Sequence, residues 1–207
     1  MGHQARYLTL YEAGETHRPL FTHKDSLGLD FPYAPGVRNR FFMYLCDMKQ
    51  MRKAARQKDE DWALNVFDRA PFVTMSMIRP DGTPYGLPLS LIRGEGHTFY
   101  FHCADEGEKM DCIRANPIVS LSAVSRCSPK FETGKKNFTM YYDSAVALGE
   151  AEIVTDNAEK IMALRLLCQR FLPNYMGNFD EAIKRSLDRT TVVKITLTEP
   201  PVGKSKP

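Results

Sequence analysis

Hydrophobic and polar positions change period several times along the chain, and each change marks an element. From Asp59 onward, Trp62, Val66, Phe67 and Ala70 recur at helical spacing, with Asp59 placed to cap the run and Pro71 to close it. A largely apolar β run follows in Phe72, Val73, Met75, Met77 and Ile78. It ends at Pro80-Asp81-Gly82, where proline presets φ and glycine accepts a positive one. Residues 85–92 are the predicted return strand. Gly94-Glu95-Gly96 then turns the chain into the aromatic strand Thr98-Phe99-Tyr100-Phe101-His102, completing a three-strand meander.

The second half repeats the alternation of strand and helix signals. A helix is predicted over 105–115, ended by Asn116-Pro117. Residues 118–124 alternate apolar side chains with serine, as a half-buried strand does. A long β run covers 138–154, with Gly149 as a bend or bulge. Asp156 and Glu159 form a capping box for a helix whose apolar face is Ile161, Leu164, Leu167, Cys168 and Phe171, stopped by Pro173. A short helix over 179–187 and a strand over 191–197 follow, and Pro200-Pro201 is expected to end the last strand. Strands joined mainly by hairpins cannot form a parallel sheet. An antiparallel sheet of about six strands curls to remove its edges, so the predicted class is mainly β with flanking helices, arranged as a small barrel.

Residues 1–46 follow no sustained period. Breakers (Gly14, Pro19, Gly28, Pro32, Pro35, Gly36) alternate with aromatics such as Tyr7, Phe21, Phe31 and Phe41, which reads as an arm packed on the body or on a partner subunit. The body is then 47–207. Composition is ordinary for a globular chain of 207 residues, and a formal net charge of +3 with interspersed signs names no partner. Lys135-Lys136 reads as a solvated turn, so no nucleic acid is expected. No run of about 18 apolar residues is present to span a membrane, and no charged segment precedes an apolar stretch as a secretory leader would require. The five cysteines, Cys46, Cys103, Cys112, Cys127 and Cys168, show neither CxxC nor zinc spacing, and read as reduced thiols in a cytoplasmic protein.

Candidate chemistry concentrates in Phe101-His102-Cys103-Ala104-Asp105-Glu106-Gly107-Glu108-Lys109. A strand ends, a glycine turn follows and a helix begins, so free amide groups and a first-turn lysine are offered to an anion such as phosphate. The same residues also suit a plain strand-to-helix turn with a solvated lysine. His102 is either a hydrogen-bonded turn residue or a group that reaches a ligand. Ser120, Ser122 and Ser125 on the next strand are placed to line a groove or simply to face solvent. No Ser/His/Asp triad, paired carboxylates or metal-ligand cluster stands out.

In their order and spacing these segments resemble the pyridoxamine 5'-phosphate oxidase-like FMN-binding split barrels, and in particular their nitroimidazole-resistance branch. The matching pieces are 83–89 (TPYGLPL), 99–109 (FYFHCADEGEK), 114–117 (RANP), 140–146 (MYYDSAV), 149–151 (GEA), 184–190 (KRSLDRT) and Gly203-Lys204, covering about residues 48 to 204. The resemblance implies a six-stranded antiparallel split barrel that is a homodimer, with FMN in grooves between subunits. It places His102, Ala104, Gly107 and Lys109 around the FMN phosphate and ribityl chain, Pro88, Leu89 and Ser90 at the edge of the isoalloxazine, and Tyr141 and Ser144 facing the pocket. It makes His102 the residue linked to activity.

Two departures from the branch stand out. Glu108 follows the glycine where the branch often has Arg or Lys, and the Tyr-Arg-Ser pattern appears as Tyr142-Asp143-Ser144, or as Tyr141 shifted by one. The C-terminal Arg-x-His of pyridoxamine-phosphate oxidases proper is missing, since 189–207 contain no histidine. The implied activity is an FMN-dependent reduction of a small electron acceptor, a nitro compound or a quinone, with reduced nicotinamide as one possible donor. A non-catalytic flavin or haem carrier or sensor of the same fold is the alternative.

Overall fold

The computed structural model describes residues 51–207 and, as backbone alone, two short strands, β1 (Thr22–Lys24) and β2 (Asp30–Pro32), which pair antiparallel. Backbone contacts divide the chain into Met1–Lys49 and Gln50–Pro207. The packing of the aromatic arm predicted over 1–46 lies outside the described residues.

The body opens with the two-residue strand β3 (Gln57–Lys58) and helix α1 (Glu60–Arg69). The Asp59 carboxylate accepts from the Trp62 N–H at 2.9 Å, which satisfies one of the amides the first helical turn leaves open. Ala63, Leu64, Val66 and Phe67 are buried. The sheet strands are β4 (Val73–Ile78), β5 (Pro84–Leu89), β6 (Ile92–Arg93), β7 (Thr98–Cys103), β8 (Ile118–Glu132), β9 (Asn137–Ile153), β10 (Thr191–Leu197) and β11 (Val202–Lys206). Helix α2 (Glu108–Ala115) joins β7 to β8, and α3 (Asn157–Phe171) and α4 (Phe179–Ser186) lie between β9 and β10. Every strand pairing is antiparallel, in the order β5-β4-β8-β9-β10-β7-β6, with β11 beside β9 and β3 beside β11.

The two ends of that order are neighbours in sequence. Only Ser90 and Leu91 separate β5 from β6, so the sheet curls until its edges meet at that joint, while the ladder itself stays open. This is a split barrel. Alternation along the strands sends Val73, Met75, Met77, Phe99, Phe101, Val119, Leu121, Ala145, Ala147, Val193 and Ile195 into one core closed by α1 and α2. A second cluster lies on the other face of β7 and β10, where Tyr100 and Val192 meet Ala163, Leu164 and Leu167 of α3 and Phe179 of α4.

Long β9 carries both halves. β8 pairs with it from 137 to 150, while its other edge pairs with β11 over 142–146 and with β10 over 149–153. Gly149 sits where it passes under β10. A Cβ there would lie 2.8 Å from Ile195 Cγ2 and 2.9 Å from the Thr196 carbonyl oxygen, so the close approach requires glycine.

Several expectations need correction in detail. The return strand breaks in two because β5 pairs with β4 and β6 with β7. The helix expected from 105 begins at Glu108, because Gly107 adopts φ +111° and turns the chain first. β8 runs eight residues past 124 through a bulge at Ser125, which sits between the Val124–Ser144 and Arg126–Asp143 pairs. Finally, Pro200-Pro201 does not end the sheet: the chain re-enters it as β11. Among the described residues no helix is long and apolar enough to cross a membrane.

Candidate functional site

The split in the barrel separates two groups of the sequence-predicted residues, Pro88, Leu89 and Ser90 on one side and His102, Ala104, Gly107 and Lys109 on the other. β6 pairs with β7 at Ile92–Tyr100 and Arg93–Phe99, and continuing that register would set Ser90 opposite His102 and Leu89 opposite Cys103. Instead, the chain leaves for β4, where Leu89 pairs with Val73 and Pro88 with Thr74. The resulting cleft has Pro88, Leu89 and Ser90 on one wall and His102, Cys103 and the turn Ala104–Gly107 on the other. Leu89 packs on the core and Pro88 is exposed.

At the mouth of this cleft stands the N-terminus of α2. Its N-cap is Gly107, and no side chain caps it, whereas Asp59 and Asp156 cap α1 and α3. The Gly107 carbonyl accepts from the Met110 and Asp111 amides. The amides of the helix start therefore face outward without a side-chain acceptor, a geometry that suits an anion. Lys109 is half-buried in the first turn, its Nζ 5.2 Å from the Phe101 ring centroid. Burial pushes the neighbouring Cys103 thiol up, and the Lys109 ammonium pulls it the other way.

Glu108 is engaged elsewhere. It forms an ion pair with Arg79, whose guanidinium also lies 4.7 Å over the Tyr85 ring and donates to the Pro84 carbonyl at 2.8 Å. The hairpin turn between β4 and β5 is thereby tied to the start of α2. The departure from the branch pattern at Glu108 thus brings a cation from another element to the same end of the cleft, a pairing that sequence spacing does not reveal.

His102 is solvent-exposed on the face of β7 that also carries Tyr100. Partial burial of the ring, and secondarily the Lys109 charge, shifts the imidazole below its ordinary value. Among the described residues it has no hydrogen-bond partner, unlike His97, which pairs with Glu60.

Tyr141 and Ser144 are not brought together. They lie three apart on β9 and so face opposite sides. Tyr141 belongs to the long β8–β9 hairpin, where its hydroxyl donates to Glu132 at 3.2 Å. Ser144 looks outward beside exposed Val146 and Leu148, and it is Tyr142, not Tyr141, that shares its face. A separate cleft of about 330 Å³, lined in part by Asp105, Lys160, Arg189 and Thr191, opens at the adjoining strand ends. It adjoins the turn after β7 through Asp105 and through Thr191, which pairs with Cys103 and donates to the Asp105 carboxylate at 3.4 Å.

Comparison with known proteins fixes the family. The model of the pyridoxamine 5'-phosphate oxidase family matches residues 59–202, nearly the whole body. The chain belongs to that family. Among solved structures, a candidate 5-nitroimidazole antibiotic resistance protein from Bacteroides thetaiotaomicron VPI-5482 superposes with a TM-score of 0.60 at 21% identity, covering 72% of this chain and 87% of that one. A flavocytochrome from Azotobacter vinelandii gives 0.64 at 19% identity, covering 76% and 72%. An FAD- and haem-binding protein from Mycobacterium smegmatis gives 0.62 at 19% identity, covering 73% of each chain. At these identities the likeness establishes the split-barrel fold of the pyridoxamine 5'-phosphate oxidase family. None of the curated proteins compared with the chain matches it.

Proposed function

We propose that this chain is a cytoplasmic flavoprotein, an FMN-dependent oxidoreductase that passes electrons to a small acceptor such as a nitro compound or a quinone. The observation that carries the proposal is the start of α2, a helix N-terminus without a side-chain cap, followed by Lys109, at the mouth of the split. A mononucleotide phosphate fits there, held by the outward amides and the ammonium. From that end, β5 extends about 17 Å along one wall, at about 3.4 Å per residue, toward Pro88, Leu89 and Ser90, which would border the ring. When bound, FMN supplies the redox chemistry. The protein's part would be to hold the phosphate, shield one edge of the ring and place His102, reprotonated from solvent, where it can donate a proton to the reduced acceptor. Reduced nicotinamide is the donor class to test first.

The same reading makes the protein a homodimer. The outward face of β8 and β9 exposes Val124, Val146 and Leu148 at 47%, 48% and 40%, around a centre of Ser120, Ser122 and Ser144. A second copy laid on this face would cover the apolar side chains. The similar structures include a flavocytochrome and an FAD- and haem-binding protein, and a haem carrier is therefore the competing reading.

An absorption spectrum of the purified protein, followed by titration of the apoprotein with FMN, FAD and riboflavin, tests the proposal. Flavin bands with FMN bound more tightly than riboflavin are expected. A Soret band without flavin, or no affinity for FMN, refutes it.

A further inference from the structure

The cleft of about 330 Å³ at the ends of β7, β9 and β10 is lined by none of the residues proposed to hold the flavin. Four stretches of chain meet there: Asp105 after β7, the end of β9 from Ile153, Lys160 in the first turn of α3, and Asp188 to Thr191 leading into β10. Hydrogen bonds between these stretches fix the walls. Lys160 Nζ donates to the Leu187 carbonyl at 2.9 Å, the Val154 amide to the Val192 carbonyl at 2.9 Å, and Thr191 Oγ1 to the Asp105 carboxylate at 3.4 Å. The cleft is thus preformed, and its volume lies at the lower end of the range of about 300–1,000 Å³ common among small-molecule sites.

Its walls divide into charged donors and neutral acceptors. Lys160 is half-buried and gives one ammonium proton to Leu187, which leaves two for a ligand. Arg189 brings a guanidinium to the rim. Thr190 and Thr191 have already given their hydroxyl protons, to the Ser186 carbonyl at 2.9 Å and to Asp105, so toward a ligand their oxygens accept. Of the two carboxylates on the walls, Asp105 is paired with Arg114 of α2 at 3.1 Å, and the balance left to a ligand is Lys160 and Arg189 against Asp188. The N-terminus of α3 is capped by its own Asp156, which accepts from the Glu159 amide at 2.8 Å, so the recognition falls to these side chains. Ile153 and Val154 add carbon surface beside them.

We infer that this cleft binds a small polyhydroxylated acid, its acid group held by Lys160 and Arg189 and its hydroxyls donating to Thr190, Thr191 and Asp188. Charged oxygens answer the two cations through charge-assisted hydrogen bonds, and hydroxyl donors answer the acceptor oxygens. An apolar acid would leave those acceptors without donors, and a neutral polyol would leave the two cations without a charged partner. The acid group is a carboxylate in a sugar acid or a phosphate in a sugar phosphate, and both present the same charged oxygens. The site does not rest on the proposed flavin chemistry.

Calorimetric titration of the whole chain with gluconate, glucose 6-phosphate, sorbitol and hexanoate isolates the two requirements. At least one of the hydroxylated acids should bind, with sorbitol, which has no acid, and hexanoate, which has no hydroxyl, each at least tenfold weaker. Gluconate as the tighter ligand identifies a sugar acid, and glucose 6-phosphate a sugar phosphate; both results support the site. Amide proton–nitrogen spectra recorded with the bound acid should shift at 153–155 and 188–191, which separates this cleft from the start of α2. Lys160→Met and Arg189→Gln, each shown to be folded by circular dichroism, should lose roughly tenfold in affinity for the acid. Where Lys160→Met fails to fold, Arg189→Gln and the shift map decide. Sorbitol or hexanoate binding as tightly as the acids overturns the inference. So do shifts confined to other residues, folded variants within twofold of the parent, and no binding of either acid. The titration needs no flavin, so its outcome is independent of the flavin proposal.

Discussion

Replacing Lys109 by alanine separates the phosphate reading of α2 from the plain turn. In the structure this ammonium stands half-buried over Phe101, one residue from Glu108, whose charge Arg79 already answers. With Glu108 neutralised, Lys109 is the base of the first turn left to face a bound phosphate. A charge-assisted hydrogen bond of this kind contributes about 1–3 kcal/mol, the outward amides and the helix dipole remaining in place. FMN affinity should therefore fall roughly 5- to 150-fold at low salt, and the gap should narrow as salt screens the partly exposed charge. Losing the contact with Phe101 costs stability as well, about 0.5–1 kcal/mol. For that reason the assay pairs FMN with riboflavin, which has the same ring and no phosphate. Fluorescence titration of parent and Lys109→Ala apoprotein should show the loss for FMN alone. Equal loss for both flavins would assign the lysine to folding, and no loss for either would make it a surface charge.

Three further outcomes are expected. His102→Ala should slow reduction of a model nitroarene or quinone by about two orders of magnitude at full flavin occupancy, as loss of a general acid–base does, and an unchanged rate retires His102 from the reaction. Val146→Asp places a charge in the exposed apolar face of β9 and should convert a dimer to a monomer in light scattering; a monomeric parent protein would refute the dimer itself. Asp143→Asn should cost about 1 kcal/mol in urea denaturation at pH 7, at the low end for a paired carboxylate because Arg126 still reaches solvent. Arg126, and then Ser205, hold the Asp143 carboxyl below its ordinary value, so its contribution is present above about pH 4 and is lost as pH falls through the folded value. The difference between variant and parent should vanish in acid, and a difference that persists there places the effect in packing.

Much of the fold was legible because local signals and tertiary structure agree. The caps at Asp59 and Asp156 form as their spacing predicts, and the strand over 191–197 appears with both ends in place. The alternation of serine with apolar residues from 118 correctly marks a strand with one buried face. What escaped the sequence depends on partners far along the chain. β11 holds Gly203, Lys204 and Lys206, a composition with little strand preference, and it forms because β9 and β3 offer it two free edges. Gly203 fits there because a Cβ would come within 2.5 Å of Trp62 Cε3 on α1. Around the candidate site, the local geometry was legible: a strand end, a glycine turn and a helix start from His102 to Lys109. The Arg79–Glu108 pair, 29 residues apart, and the opposite facings of Tyr141 and Ser144 are set by packing and strand parity. A motif match shifted by one residue cannot supply either.

The way β9 is shared between ladders has a consequence for how the molecule opens. Backbone amides over 142–146 and at 149–150 belong to a strand paired along both edges, so their exchange with solvent deuterium should require the whole body to come apart. β5 and β6 are each held by one neighbour, and their amides should exchange through small, frequent openings. The wall bearing Pro88, Leu89 and Ser90 can therefore swing while the rest of the barrel stays folded. A cofactor can enter and leave by that route without passing through the unfolded state, and once seated it should slow exchange most in the strands that move most freely without it.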